Sequence, residues 1–179
     1  MLGMSPFGVF HTLLSLVAVA AGVVCLARDK KVSLVSRAGQ LYVGMTALSC
    51  LTGFGIFHHG GFGKPHVLGI VTLVTLGVAV AAERRSLLGG ISAYVAMVGY
   101  SLTLFFHSIP AITETSTRLP AGAPLATGPD DPALQTATGL LFTAFLIGAI
   151  IQVLHLRGVH RKSRSGSYSP RGNSPTERG

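Results

Sequence analysis

The sequence predicts an all-α fold, a polytopic transmembrane helix bundle of five spans with its N-terminus outside and its C-terminus in the cytoplasm. Three observations predict it. Only 11% of the 179 residues are charged while 49% are hydrophobic, where a soluble domain carries about 25% charged residues. The apolar residues gather in long blocks, several near the roughly 20 residues that cross a hydrocarbon core. Basic residues fill alternate connections between the blocks, the pattern by which membrane topology is written.

The first span covers about 7–27, "FGVFHTLLSLVAVAAGVVCLA". Pro6 precedes it, and the fixed φ of proline suits a first helical turn. No Lys or Arg comes before it, and more apolar sequence follows "VAVAAG", so it reads as a retained span and not a cleaved signal peptide. The second span covers about 38–57, the third 65–82, the fourth 87–109 and the fifth 134–156. With these borders no Asp, Glu, Lys or Arg lies inside a span. All five read as helices, because an open strand leaves its backbone groups unbonded in lipid.

The connections set the orientation. Arg28, Lys30, Lys31, Arg37, Arg84 and Arg85 lie on one side, with Arg157, Arg161, Lys162, Arg164, Arg171 and Arg178 of the tail. Only Lys64 and Arg118 lie on the other, beside Glu114, Asp130 and Asp131. The basic side is cytoplasmic by the positive-inside rule, and the membrane predicted is a bacterial inner membrane. The net charge of +8 would in another chain suggest nucleic acid. Here the cations sit between apolar blocks, and with no Trp and 4 Tyr there is no platform for stacking bases. The partners predicted are the lipid bilayer and a membrane protein or second copy, with no nucleic acid.

The outer loop spans 110–133, and its "AITETSTR" part can continue as a short helix along the membrane surface. The tail, 157–179, is rich in Ser, Arg and Gly without apolar periodicity and is predicted to be disordered. Its basic cluster lies within reach of anionic headgroups. Cys25 and Cys50 fall at different depths on neighbouring helices, given a rise of ~1.5 Å per residue. They read as free buried thiols.

Helices in lipid associate through small residues. Span one carries such a face in His11, Ser15, Ala18, Gly22 and Cys25, and span four in Ala93, Ala96, Tyr100, Thr103 and His107. Span two is dotted with Gly39, Gly44, Gly53 and Gly55 and also carries Thr46 and Ser49.

The turn "FHHGGFGKPH" joins spans two and three. Gly60 or Gly61 can take the left-handed conformation that closes a helix, and Pro65 can open the next. His58, His59 and His66 then fall at the outer surface, together with His11 and His107 one turn inside it. His155 and His160 flank the inner side. Neutral imidazole is a ligand for copper, zinc or haem iron. These five histidines are therefore the candidate metal ligands, with help from Glu114, Asp130 or Asp131. His11 and His107 are the candidate axial pair for a haem b.

No HExxH, CxxC or CxxCH occurs, and no catalytic constellation is legible, so any redox activity would depend on a bound metal or haem. Three other readings compete. Histidines at a membrane interface can bond helix-end carbonyls. Small-residue faces can dock a scaffold or accessory subunit into a larger complex. A small-solute or proton-linked transporter ranks last, because such proteins carry ionisable groups in mid-membrane.

Residues Gly99 to Pro120, "GYSLTLFFHSIPAITETSTRLP", resemble a group of uncharacterised bacterial multi-pass membrane proteins. In that group a Tyr- and His-bearing helix precedes a similar Pro, Thr-Glu-Thr and Thr-Arg-Leu-Pro stretch, and the first four spans share this layout. The resemblance implies a fold and a membrane, without a reaction. The layout is also similar to small four-helix b-type cytochromes. Those place haem ligands toward both faces, whereas the in-span histidines here favour one.

Overall fold

The computed structural model describes residues 6–56, 61–86, 88–120, 122–128 and 130–166. Its regular structure is helical: α1 Pro6–Asp29, α2 Arg37–Gly53, α3 Lys64–Arg85, α4 Ser92–Arg118 and α5 Pro132–Gly166. A single 3-10 turn, Gly89–Ile91, leads into α4. Among the described residues there is no strand. Four of the helices, α1, α3, α4 with its leading turn, and α5, are long and apolar enough to cross a membrane. With 17 residues, α2 is the short one.

The bundle is turned inside out relative to a soluble protein. Leu13 and Leu16 are each 56% exposed, while Thr46 and Thr103 are fully buried. Water would penalise that arrangement, but lipid tails are as apolar as leucine and favour it. Polar side chains turn inward because hydrocarbon offers them no hydrogen-bond partner.

Two antiparallel hairpins form the body. In the first, Ser15 Oγ and Ser49 Oγ lie 2.6 Å apart across α1 and α2. The face of α1 buries Ala18, Gly22 and Cys25, as its small-residue period predicts. In the second, α3 and α4 approach so closely that a Cβ added to Gly99 would stand 3.0 Å from the Cβ of Ala79. The buried face of α4 includes Ala96, Tyr100, Thr103 and His107, four of the five predicted residues, while Ala93 is exposed. Tyr42 joins the hairpins: its hydroxyl lies 2.7 Å from Thr103 Oγ1 and donates to the Tyr100 carbonyl at 3.3 Å. The last helix, α5, packs on α4 alone. Phe105 meets Phe142 and Phe145 there, with ring centroids 5.5 and 5.7 Å apart, and Ser101 donates to Gln152. Cys25 and Cys50 are buried free thiols.

Helix borders depart from the hydropathic ones. The last residue of α2 is Gly53, four short of the predicted end, and Phe54 continues in a right-handed turn. Gly61 is not left-handed, since the positive-φ glycines described are Gly89 and Gly122; Gly60 lies outside the described residues. The third helix runs on to Arg85 and so takes in Glu83, one residue past the predicted span. The fourth continues through Pro110 to Arg118, so "AITETSTR" extends α4 instead of forming a separate surface helix. Pro110 removes one backbone donor. Beyond it, Thr113 and Thr117 hydroxyls bond the carbonyls of Ile109 and Thr113. The fifth helix reaches Gly166, so 157–166 is helical where disorder was predicted. Lys and Arg are good helix formers and extend a helix already nucleated by the span. Residues 167–179 lie outside the description.

Alternation gives the bundle two ends. A basic end collects the termini of α1 and α3, the start of α2 and the start of α4. The opposite, histidine end collects the start of α1 and α3 and the end of α4.

At the basic end Ser36 caps α2, accepting from the Gly39 amide at 3.0 Å. The chain folds back so tightly that a Cβ on Gly39 would lie 1.9 Å from the Ser33 carbonyl oxygen. Backbone stands in the way there, so only glycine fits. Gly39→Ala is expected to destabilise the bundle by about 1–3 kcal/mol or more, the cost of overpacking, read as a lowered Tm in detergent. Gly44, with open space around it, is the control.

Asp131 caps α5. Its Oδ1 accepts from the Ala133 amide, and its Oδ2 from the Thr127 amide and hydroxyl. These three donors hold its carboxyl below the usual aspartate range. A depressed folded pKa contributes stability above the unfolded value that is lost as pH falls through the folded one. The protection of amides at the start of α5, relative to their intrinsic exchange rates, should therefore fall on acidification below about pH 4 in the wild type. In Asp131→Asn it should not respond.

Candidate functional site

The histidine end holds two of the predicted site residues, on helices that touch, α1 and α4. His11 sits on the first hairpin, where its Nδ1 lies 3.0 Å from Thr52 Oγ1. Thr52 is itself tied to the Leu48 and Ser49 carbonyls. The absence of a side chain at Gly53 gives the His11 ring its place, since a Cβ there would stand 3.2 Å from His11 Cε1. His107 enters from α4 and is buried at 7% exposure. The two residues stand ninety-six positions apart in sequence, on helices that touch. The Nε2 of His107 is buried and has no hydrogen-bond partner among the described residues. A buried nitrogen left so is costly, and it marks the position where an additional group fits.

His66 has a different task. Its Nδ1 accepts from the Gly63 amide at 3.2 Å, capping α3 at its third residue, and its ring stacks on Phe62 with centroids 5.3 Å apart. One ring nitrogen is thereby committed to backbone. His58 and His59 lie outside the described residues. His155 is exposed on α5 toward the basic end.

The three acids expected to assist are engaged elsewhere. Glu114 pairs with Arg118 at 2.6 Å, Asp130 with Lys64 at 3.3 Å, and Asp131 caps α5. Glu114 still acts electrostatically on His11. Among the described residues no group of three His, Cys, Asp or Glu side chains forms a metal-holding set. Within those residues helix capping engages His66, ion pairing and capping engage the three acids, and His11 and His107 are left as the candidates.

A second polar centre, at the basic end, was not anticipated. Glu83 accepts from Ser33 Oγ at 2.5 Å, from the Leu34 amide at 3.0 and 3.1 Å on its two oxygens, and from Tyr100 Oη at 2.7 Å. One carboxylate therefore fastens the α1–α2 connection, α3 and α4. It stands four residues after Ala79 and seven after Leu76, both buried, and so continues the buried stripe of α3. That stripe was the available signal. Three donors meet its two oxygens, with the Leu34 amide shared between them, so Glu83 reads as a structural clamp. Beside it a cavity of about 160 Å³ is lined by Ser33, Ser86, Ser92 and Met97.

No family of known sequences, no curated protein and no solved structure matches this chain. The likeness of Gly99–Pro120 to uncharacterised membrane proteins therefore stands on those residues alone.

Tyr100→Phe removes one hydrogen bond to a carboxylate, worth about 1.5–3 kcal/mol. It should lower the thermal midpoint while helix content stays unchanged. Thr103→Val, which touches the neighbouring Tyr42 hydroxyl and not Glu83, should not add fully to it, because the two share one network.

Proposed function

We propose that the chain is an integral bacterial inner-membrane protein of five crossings, with α2 as the fifth. In this reading the histidine end faces outside and the basic end the cytoplasm. Its function centres on a site near the outer surface where His11 and His107 bind one transition-metal ion. The observation that carries this is the buried Nε2 of His107, which has no hydrogen-bond partner among the described residues, on a helix that touches the one bearing His11.

The ligand set narrows the metal. A closed structural zinc site takes four protein ligands, and a catalytic one three. Two neutral nitrogens in an apolar bundle suit copper, which among the divalent first-row metals binds nitrogen most strongly and as Cu(I) accepts two-coordinate, linear ligation. The same pair of rings is the minimum set for a six-coordinate haem, so an optical spectrum belongs in the test.

The competing readings lose support for specific reasons. A scaffold docking through small-residue faces would need those faces free, yet those of α1 and α4 are spent inside the bundle. Glu83 answers the lack of an in-span acid that counted against a transporter. However, both its oxygens are bonded and it lies at one end, not at mid-depth.

Protein purified without chelator should carry one copper per chain by elemental analysis, with no Soret band. His11→Ala and His107→Ala should each weaken retention at least about tenfold while the protein stays monodisperse. Metal retained in the double variant, or none in the wild type, would contradict the reading.

A further inference from the structure

The basic end presents a short strap, residues 30–37, whose construction goes beyond what a connection between two helices needs. It starts at Lys30, which ends α1 in the left-handed region at φ 58°. Two anchors from different helices fix it. Glu83 takes the Ser33 hydroxyl and the Leu34 amide, and Gln152 of α5 donates to the Lys30 carbonyl at 2.8 Å. Gln40 adds a bond to the Leu34 carbonyl at 2.9 Å.

What this rigid strap displays is a valine among cations. Val35 is 91% exposed, with Lys30 and Lys31 before it and Arg37 after it, all exposed. The α3–α4 turn repeats the pattern at the same end: Arg84 and Arg85 are exposed, and Leu88 and Ile91 follow at 47% and 58% exposure. Asp29 is the exposed acid among them. The salt bridges of the described residues, Lys64–Asp130 and Arg118–Glu114, both lie at the opposite end. The cations of the basic end therefore keep their charge for an outside partner.

We infer that the basic end is a binding surface for the phosphate headgroups of anionic phospholipids, presented by the strap that Glu83 holds in place. Charge supplies the attraction, which near a membrane surface falls off within a Debye length. Val35 and Leu88 supply apolar contact below the phosphate plane. Fixing the strap beforehand lowers the ordering cost of binding. This separates the surface from a general positive-inside signal, which needs charge and no defined backbone. An acidic protein patch would meet the cations equally but would leave no lipid preference. The inference is independent of the metal site.

The test uses the full chain in nanodiscs of phosphatidylcholine with and without phosphatidylglycerol, with bound lipid counted by native mass spectrometry and thermal midpoints measured alongside. Wild type should retain phosphatidylglycerol over phosphatidylcholine and gain several degrees from it. The variant Lys30→Asn, Lys31→Gln, Arg37→Gln should lose about fivefold in preference per charge removed; Asn at position 30 tolerates the left-handed backbone. Glu83→Gln keeps all of these cations and should still lose part of the preference. Should that variant fail to assemble, Ser33→Ala serves in its place. Equal retention of both lipids by wild type, or an unchanged preference in the triple variant, overturns the surface. Displacement by millimolar inorganic phosphate assigns it to free anions and overturns the lipid assignment. An unchanged preference in both Glu83→Gln and Ser33→Ala overturns the part played by the strap.

Discussion

Hydrocarbon cannot accept or donate a hydrogen bond, and that constraint organises this protein. Every polar side chain on an apolar helix must find its partner inside the bundle or at one of its ends. The interior therefore holds the hydroxyls of Tyr42, Thr46, Ser49, Tyr100 and Thr103, and the exterior holds leucine, valine and isoleucine. The short helix α2 is the polar spine. Tyr42, Thr46 and Ser49, all buried, recur on it at helical spacing, and it meets α1 through Ser49 and α4 through Tyr42. A third contact of this spine, Thr52 with His11, carries the interior polarity to the histidine end.

The two ends differ in how completely their polar groups are satisfied. At the basic end both oxygens of Glu83 are bonded, by donors from the α1–α2 connection and from α4, which is what a carboxylate near lipid requires. At the histidine end the His107 ring keeps a nitrogen without a partner. The contrast separates roles: a group bonded at both its oxygens holds the fold, and an incompletely bonded one offers chemistry. It is also why the two proposals rest on different parts of the molecule, and why perturbing Glu83 is a test of architecture while perturbing His107 is a test of binding.

The inward faces were legible because small residues recur every three or four positions in α1 and α4, and small residues set the distance at which helices pack. Helix ends were not. Hydropathy marks where lipid ends, whereas a helix ends where its backbone bonds end. Thus α4 passes Pro110 and α5 reaches Gly166 without any apolar signal. Glu83 was hidden by the same confusion, placed in a loop although its spacing from Leu76 and Ala79 puts it on the buried stripe. The role of His66 had a readable cue: a polar ring three residues into a helix, after Gly-Lys-Pro, is positioned to bond the preceding amide as Glu or Gln does in a capping box. That His11 and His107 belong to the same end was legible from their faces and depth. Only the three-dimensional structure shows that Glu114, Asp130 and Asp131 are already engaged.

The central claim is that the histidine end and the basic end lie on opposite sides of one membrane, which requires α2 to cross it. Single cysteines placed at Gly61 and at Arg85, in a background with Cys25 and Cys50 replaced by serine, test this with a membrane-impermeant maleimide on intact spheroplasts. The account predicts labelling at position 61 from outside, and at position 85 only after the membrane is opened. Labelling of both positions from the same side would contradict it.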